Sequence, residues 1–331
     1  MRRALITGIN GQDGSYLTEL LLNHGYHIMG TVRRHPNSAS DNACIGRVPK
    51  AVDIVESELV GHSSIESLVH RFRPDEVYNL AARASSSELW TEPISTGELN
   101  ALAVVRLLDA IHRADYRIRF VQASSSEVFG NATAAPQTES TPFHPRNPYG
   151  VAKAFGHWIT AVYREQRGLF ACSCILYNHE SPRRGEEFVT RKISRGAAMI
   201  KRGLANELCL GDLDARRDWG FAGDYVRAMW LSLQQSLPDD YVVATGESHS
   251  VREFCEIAFS HVGLRYEDYV AQDRESFRSP ETALLVGDPA KAKRILGWSP
   301  TVAFEQLVMM MVDADLRSLE TPGRQPRGLV C

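Results

Sequence analysis

The sequence predicts an α/β fold: a doubly wound parallel sheet followed by a smaller mixed α/β domain. Three observations carry this. Short apolar β runs alternate with amphipathic helical stretches along the first half of the chain. The first of those runs leads straight into a glycine turn, Gly8-Ile9-Asn10-Gly11-Gln12-Asp13-Gly14. After Tyr177 the texture changes and becomes polar, turn-rich and arginine-rich.

Ala4-Leu5-Ile6-Thr7 reads as the first strand, and the glycine turn opens a helix with Leu17, Leu20 and Leu21 on one face, ending at Gly25. Strand, glycine turn and helix form a dinucleotide-binding opening of the Rossmann type. Glycines let the backbone approach a pyrophosphate, and the helix amino end supplies N–H donors and a partial positive charge. The spacing is GxxGxxG, weak as a bare pattern and stronger for its β and α flanks. A second strand covers His27 to Val32 and runs into Arg33-Arg34. No Asp or Glu occurs between Gly25 and Ser40, where an NAD site places an acid on the ribose 2′-hydroxyl. Arginine there favours a 2′-phosphate, so NADP is the expected cofactor.

The alternation continues with a helix over Ser64 to Phe72, a strand over Glu76 to Leu80, a helix from Gly97 to Ala114 and a strand from Arg119 to Ala123. A helix through Ala154 to Arg167 precedes a strand over Ala171 to Leu176. This pattern assigns residues 1–178, with 218–248 returning, to the dinucleotide-binding domain, and 179–217 with 249–331 to a substrate domain.

Chemistry concentrates between Ser124 and Lys153. Ser124-Ser125-Ser126-Glu127 follows the apolar run Phe120-Val121-Gln122-Ala123, at the carboxyl end of a strand, where open α/β sheets place their sites. Pro148 puts Tyr149 on the first turn of the following helix, and the spacing to Lys153 stacks the two on one face. A phenol of ordinary pKa near 10 is a poor base at neutral pH, and a neighbouring ammonium is expected to lower it. Each part alone is common. A Tyr and a Lys four apart usually mean a packed ring beside a solvated amine, and a serine turn ending in Glu is usually a cap.

At 331 residues, 23% charged and with a formal net charge of −3, the chain can bury a sizeable core and presents no broad polyanion-binding surface, so no nucleic-acid partner is expected. The apolar run after Arg2-Arg3 stops at Thr7-Gly8, too short for a signal peptide, and no stretch approaches a membrane span of roughly 20 residues. A cytoplasmic chain without a membrane partner is expected. The six cysteines form no CxxC pair and no Cys/His cluster, so no metal is expected; Cys172 and Cys174 read as buried free thiols. Arg183-Arg184, Arg191, Arg195, Arg216-Arg217 and Arg278 point to an anionic ligand such as a diphosphate, although surface charge is the commoner explanation for any single arginine.

Together these residues resemble the extended short-chain dehydrogenase/reductase family, and within it the GDP-mannose 4,6-dehydratases. The resemblance spans Ala4 to Leu316. Its narrowest segments are Gly11-Gln12-Asp13-Gly14-Ser15-Tyr16-Leu17, Asn178 to Gly185, Phe188-Val189-Thr190-Arg191-Lys192-Ile193 and Arg217-Asp218-Trp219-Gly220. It implies a lyase that oxidises the sugar at C4 with NADP⁺, eliminates water across C5 and C6, and returns the hydride to C6. Tyr149 would be the C4 base, Lys153 its activator and ribose ligand, and Glu127 the C5 base. Ser125 stands where the family has threonine, bonding the C4 oxygen. The implied cofactor set is Gly8, Gly11, Gln12, Asp13, Gly14, Arg33, Glu58, Leu59, Leu80, Ala81, Ala82, Tyr149, Lys153, His179 and Arg184. The implied substrate set is Ser85, Ser87, Glu88, Asn178, Val189, Lys192, Arg217, Arg278 and Glu281.

Departures bear on the details. Glu58 replaces a family aspartate. Arg83-Ala84-Ser85-Ser86-Ser87-Glu88-Leu89 does not match the family segment that borders the hexose, so GDP-manno-heptose competes with GDP-mannose as the GDP-sugar. The loop from Arg34 to Ser40 differs from the one that reaches a neighbouring subunit, which leaves a homo-oligomer of dimer or tetramer size. Two other functions compete with the lyase. A sugar-nucleotide epimerase would need the Tyr/Lys pair and no carboxylate at 127. A non-catalytic NADP-binding regulator would need none of the four positions.

Overall fold

The computed structural model describes residues 1–33, 48–84, 90–273 and 284–320, less the side chains of residues 62 and 63. Its centre is a seven-stranded, all-parallel sheet in the order β11-β6-β5-β4-β1-β2-β3. The strands are β1 (Arg3–Thr7), β2 (His27–Val32), β3 (Asp53–Glu56), β4 (Glu76–Asn79), β5 (Arg119–Ser125), β6 (Ala171–Leu176) and β11 (Asp240–Val243). The doubly wound parallel fold expected from the sequence is therefore the one observed.

Helices α1 (Gln12–Asn23) and α7 (Ala222–Ser232) cover one face, burying Leu17, Leu21, Val226 and Met229 against Ile6, Val121 and Ile175. Helices α2 (His62–Phe72), α4 (Ala103–Ala114) and α5 (Pro148–Arg167) cover the other, over Leu5, Val77 and Phe120. Both faces are buried, so the inner strands are apolar on both, except where Thr7, Asn79 and Gln122 place buried polar groups.

The helix expected from Gly97 to Ala114 is three pieces: α3 (Pro93–Gly97), a π-helical turn at Glu98–Leu102 and α4. A π turn carries one extra residue, and here it turns Asn100 inward, where its amide brackets the backbone N and O of Arg83 at 2.9 Å each. Strand β3 was not read from the sequence because its side chains are largely exposed and leave no apolar signal.

A second core lies beyond the sheet. Helices α6 (Val189–Lys201), α8 (Val251–His261) and α9 (Phe304–Glu320) bury Ile193, Phe254, Phe259, Leu307 and Met311. Short strands connect it: β7 (Asn178–Glu180) with β10 (Trp219–Phe221), β8 (Leu208–Leu210) with β13 (Val270–Gln272), and β9 (Arg216–Arg217) with β12 (His249–Ser250).

The order of strands reverses at β1, which has β2 on one side and β4 on the other, so a crevice opens above their carboxyl ends. Gly8 forms its floor with φ +68°, and a Cβ there would lie 2.9 Å from the Ala81 Cα. Gly8→Ala should therefore cost about 1–3 kcal/mol of stability, from left-handed strain and contact with backbone that cannot yield, measured by urea unfolding.

Candidate active site

The crevice is lined first by the turn between β1 and α1. Gly11 is the N-cap of α1 and offers no side chain, so side-chain capping leaves the first-turn N–H groups unanswered. Thr7 Oγ1 accepts from the backbone N–H of Leu80 (3.0 Å) and Ala81 (3.1 Å) and donates to Asn79 Oδ1 (2.7 Å), which holds the opposite wall. This cradle fits a dinucleotide pyrophosphate, with Gly8, Gly11 and Gly14 below and Leu80, Ala81 and Ala82 beside it.

The segment after β6 is tied to the same turn. Gln12 Nε2 donates to the His179 carbonyl at 3.0 Å, and Ser181 Oγ donates to Gln12 Oε1 at 2.8 Å. His179 Nδ1 donates to the Tyr177 carbonyl at 2.7 Å, which turns Nε2 towards Asp13 Oδ2 at 2.8 Å. The ring lies flat on Tyr225. Burial opposes both charges, yet the pairing wins: the Asp13 carboxyl is held below its ordinary value and the His179 imidazole above its own. Gln12, Asp13 and His179 are thus already engaged with one another. Arg184 stacks on Phe188 and pairs with the buried Glu180 carboxylate at 3.2 Å.

Four side chains converge at the end of β5. Ser125 caps a 3₁₀ turn over Ser126–Val128, its Oγ accepting from the Glu127 N–H at 3.3 Å, and the Tyr149 phenol lies near enough to that hydroxyl to be lowered by it. Helix α5 starts with Asn147 as N-cap, its Oδ1 accepting from the Gly150 N–H at 2.7 Å, with Pro148 in the first turn. Asn147 Nδ2 donates to Glu127 Oε2 at 2.7 Å.

Lys153 departs from the sequence expectation. Its Nζ donates to the Ala123 carbonyl at 2.7 Å and lies 5.6 Å from the Tyr149 ring centroid. The phenol is not depressed. It is held up at about 12, chiefly by burial with Glu127 acting the same way, while the nearby Ser125 hydroxyl and the Arg184 cation act to lower it. Burial also brings Lys153 from an ordinary 10.5 down to about 8, with Asp13 acting against the fall. Spacing placed the amine on the right face, but its long stem carries the charge past the phenol to a buried carbonyl.

The chain matches the family model described as GDP-mannose 4,6 dehydratase over residues 5–311. It belongs to the GDP-mannose 4,6-dehydratase family. Similar members include GDP-mannose 4,6 dehydratase 2 of Arabidopsis thaliana, 52% identical over 323 residues, covering 95% of this chain and 86% of that protein. GDP-mannose 4,6 dehydratase of Homo sapiens is 43% identical, covering 96% and 92%. Among solved structures, a Thermus thermophilus UDP-glucose 4-epimerase in complex with NAD is 28% identical, with a TM-score of 0.79 over 95% of this chain and 98% of that one. A Bacillus anthracis dTDP-glucose 4,6-dehydratase, 21% identical with a TM-score of 0.83 over 97% and 98%, shares the fold.

Other residues named from the family resemblance fall in several places. Arg33 follows the end of β2, Glu58 is exposed, and Leu59 is buried in the core beneath α2 and α4. Val189 and Lys192 lie in the first turn of α6, Asn178 starts β7, and Arg217 ends β9. Ser85, Ser87, Glu88, Arg278 and Glu281 lie outside the described residues. Reasoning from sequence missed Asn147 and Asn100. Asn-Pro before a helix is a legible cap signal for the first; a π turn leaves none for the second. Sequence reasoning gave Asp218 no role beyond its place in a family segment; this residue is buried, raised by that burial, and its carboxylate accepts from Thr245, Gly246 and Gly287, which fixes the loops beside β10.

The lowered Lys153 has a measurable consequence. Between about 8 and 10.5 the unfolded chain binds more protons than the folded one, so stability rises with pH in that window, and below it the buried ammonium costs about 3 kcal/mol at most. Lys153→Met should be more stable than the wild type at pH 7 by roughly 1–3 kcal/mol, and urea titrations should show that gap closing as pH rises from 8 to 10.

Proposed function

We propose that this chain dehydrates GDP-mannose to its 4-keto-6-deoxy sugar nucleotide, with Tyr149, Ser125, Glu127 and Lys153 as the catalytic set. Family membership and curated relatives bearing that name at 43–52% identity support the substrate and reaction class. The observation that carries the residue roles is the meeting of Ser125, Glu127 and Tyr149 at one strand end, beside the dinucleotide cradle.

A bound nicotinamide dinucleotide supplies the hydride acceptor at C4 and the donor at C6. Tyr149 takes the C4 hydroxyl proton while Ser125 hydrogen-bonds the C4 oxygen. Burial holds the phenol up at about 12, and Ser125 and Arg184 are the neighbours that act to lower it. The C4 ketone acidifies the C5–H bond, and Glu127 removes that proton. Water leaves from C6 with the proton Glu127 took from C5; hydride at C6 and the proton held by Tyr149, delivered to C5, then complete the product and restore both groups. Lys153, fixed on Ala123, holds the cofactor ribose. The NADP reading rests on Arg33 at the end of β2 and on the missing acid between Gly25 and Ser40. His179 and Arg184 are read as cofactor contacts, and Asn178, Val189, Lys192 and Arg217 as contacts to the nucleotide, with residues 179–217 and 249–331 as the substrate domain. No helix among the described residues is long and apolar enough to cross a membrane. The cytoplasmic reading is carried from the sequence; Cys172, Cys174 and Cys255 are buried free thiols, whereas Cys209 is disulfide-bonded.

Enzyme stripped of nucleotide and reloaded with NADP⁺ should convert 4-deuterio GDP-mannose into product with deuterium at C6, and reloading with NAD⁺ should restore less than about a tenth of the rate. Glu127→Gln should lower kcat by about 10²–10⁴. Deuterium retained at C4 would mark an epimerase and overturn the reading. GDP-manno-heptose, tested in parallel, should turn over more slowly.

The oligomer reading rests on helix α5. Val151, Phe155, Trp158 and Val162 are exposed on one stripe at spacings of four, three and four, Trp158 at 58%. A helix showing such a seam to water is unusual unless a partner covers it, and a second copy presents the same seam. Phe155→Glu with Trp158→Glu should convert a homo-oligomer to monomer, measured by light scattering.

A further inference from the structure

We infer that Asn147 is a positioning residue that aims Glu127, in addition to capping the helix that carries Tyr149. One amide serves both elements: Oδ1 accepts from the Gly150 N–H at 2.7 Å and Nδ2 donates to Glu127 Oε2 at 2.7 Å. The partners dictate the amide's orientation, because a flip would set oxygen against carboxylate and NH₂ against N–H. Asn147 is the hydrogen-bond partner that the described residues give the Glu127 carboxylate.

Extended backbone at Asn147, φ −143° and ψ 161°, places the amide between the two elements. They touch closely. A Cβ on Gly150 would lie 2.6 Å from the Glu127 carbonyl oxygen, so the start of α5 and the 3₁₀ turn are held backbone to backbone. The Glu127 side chain, with several rotatable bonds, is then fixed relative to the Tyr149 helix by Nδ2. A general base misplaced by an ångström loses up to about 10²-fold in rate. A neutral amide is suited to this task, because it cannot accept the proton Glu127 is to remove and cannot pair with Glu127 as a fixed counter-ion. Serine or aspartate would cap α5 equally well, so the cap alone does not require asparagine.

This inference rests on Glu127 being the C5 base. Asn147→Asp keeps the cap and replaces the donor by a second carboxylate beside Glu127. Asn147→Ser keeps the cap with a hydroxyl one bond shorter than the amide arm. Both should unfold within about 2 °C of the wild type, retain KM for GDP-mannose within about twofold and lose kcat by roughly 10–100-fold. A deuterium isotope effect on kcat from C5-labelled substrate should appear or grow in both. In Asn147→Asp the acid limb of the kcat profile should also move up by a pH unit or more, since two adjacent carboxylates share a proton. Either variant, folded, with kcat within twofold of the wild type and no added isotope effect, would overturn the assignment. Glu127→Gln, run alongside, separates the two claims: if it retains turnover the base itself is misassigned, and if it alone is inactive only the role of Asn147 fails.

Discussion

Helix α5 can begin where it does because Gly150 has no side chain: the Glu127 carbonyl occupies the space a Cβ would need. That close approach brings a helix start against the carboxyl end of β5 and gathers a phenol, a hydroxyl and a carboxylate from two points of the chain. The rest of the site is arranged around it. Ser125 and Asn147 are caps by local geometry, one of the 3₁₀ turn and one of α5; Asn147 uses its second hydrogen-bonding group on Glu127, and the Ser125 hydroxyl lies beside the Tyr149 phenol. Capping groups are satisfied by short, rigid geometry, so a site built from them is aimed by the backbone rather than by mobile side chains.

Electrostatics in this cluster run against what spacing alone predicts. Burial raises Tyr149 and lowers Lys153, so each is driven towards its neutral form, and the Tyr/Lys pair does not act as a simple ion pair in the unliganded chain. Low dielectric penalises both charges more than a separated partner repays. Asp13 and His179 show the opposite balance, because direct contact at 2.8 Å outweighs their burial and keeps both charged forms favoured. Distance decides between the two outcomes: contact for one pair, several ångströms and a competing carbonyl for the other.

A row of polar residues crosses the buried sheet beneath the site. Thr7 bonds Asn79, Asn79 Nδ2 donates to Gln122 Oε1 at 2.7 Å, and Gln122 Nε2 donates to the Ala123 carbonyl that also holds Lys153. Register makes this possible, since Thr7, Asn79 and Gln122 are direct neighbours on β1, β4 and β5. Buried amides are tolerated in a core only when paired, and here the pairing fixes the strand ends that form the crevice.

Periodicity alone determined most of the sheet. His27–Val32 and Ala171–Leu176 were readable to the residue, because strands covered on both faces are mostly apolar, here broken only by short residues such as Gly30, Thr31 and Ser173 after the first position. The glycine turn, the serine–glutamate turn and YxxxK were equally legible, being local sequence with local consequences. Tertiary structure decided the rest. The two- and three-residue strands of the second region are too short to carry a pattern, β3 is an exposed edge, and the π turn at Glu98–Leu102 depends on what Asn100 finds across the crevice. The direction of the Lys153 amine and the second hydrogen bond of Asn147 were likewise beyond any spacing rule. A long side chain goes where a distant carbonyl or carboxylate lies, and that is known only once strands far apart in sequence have been brought together.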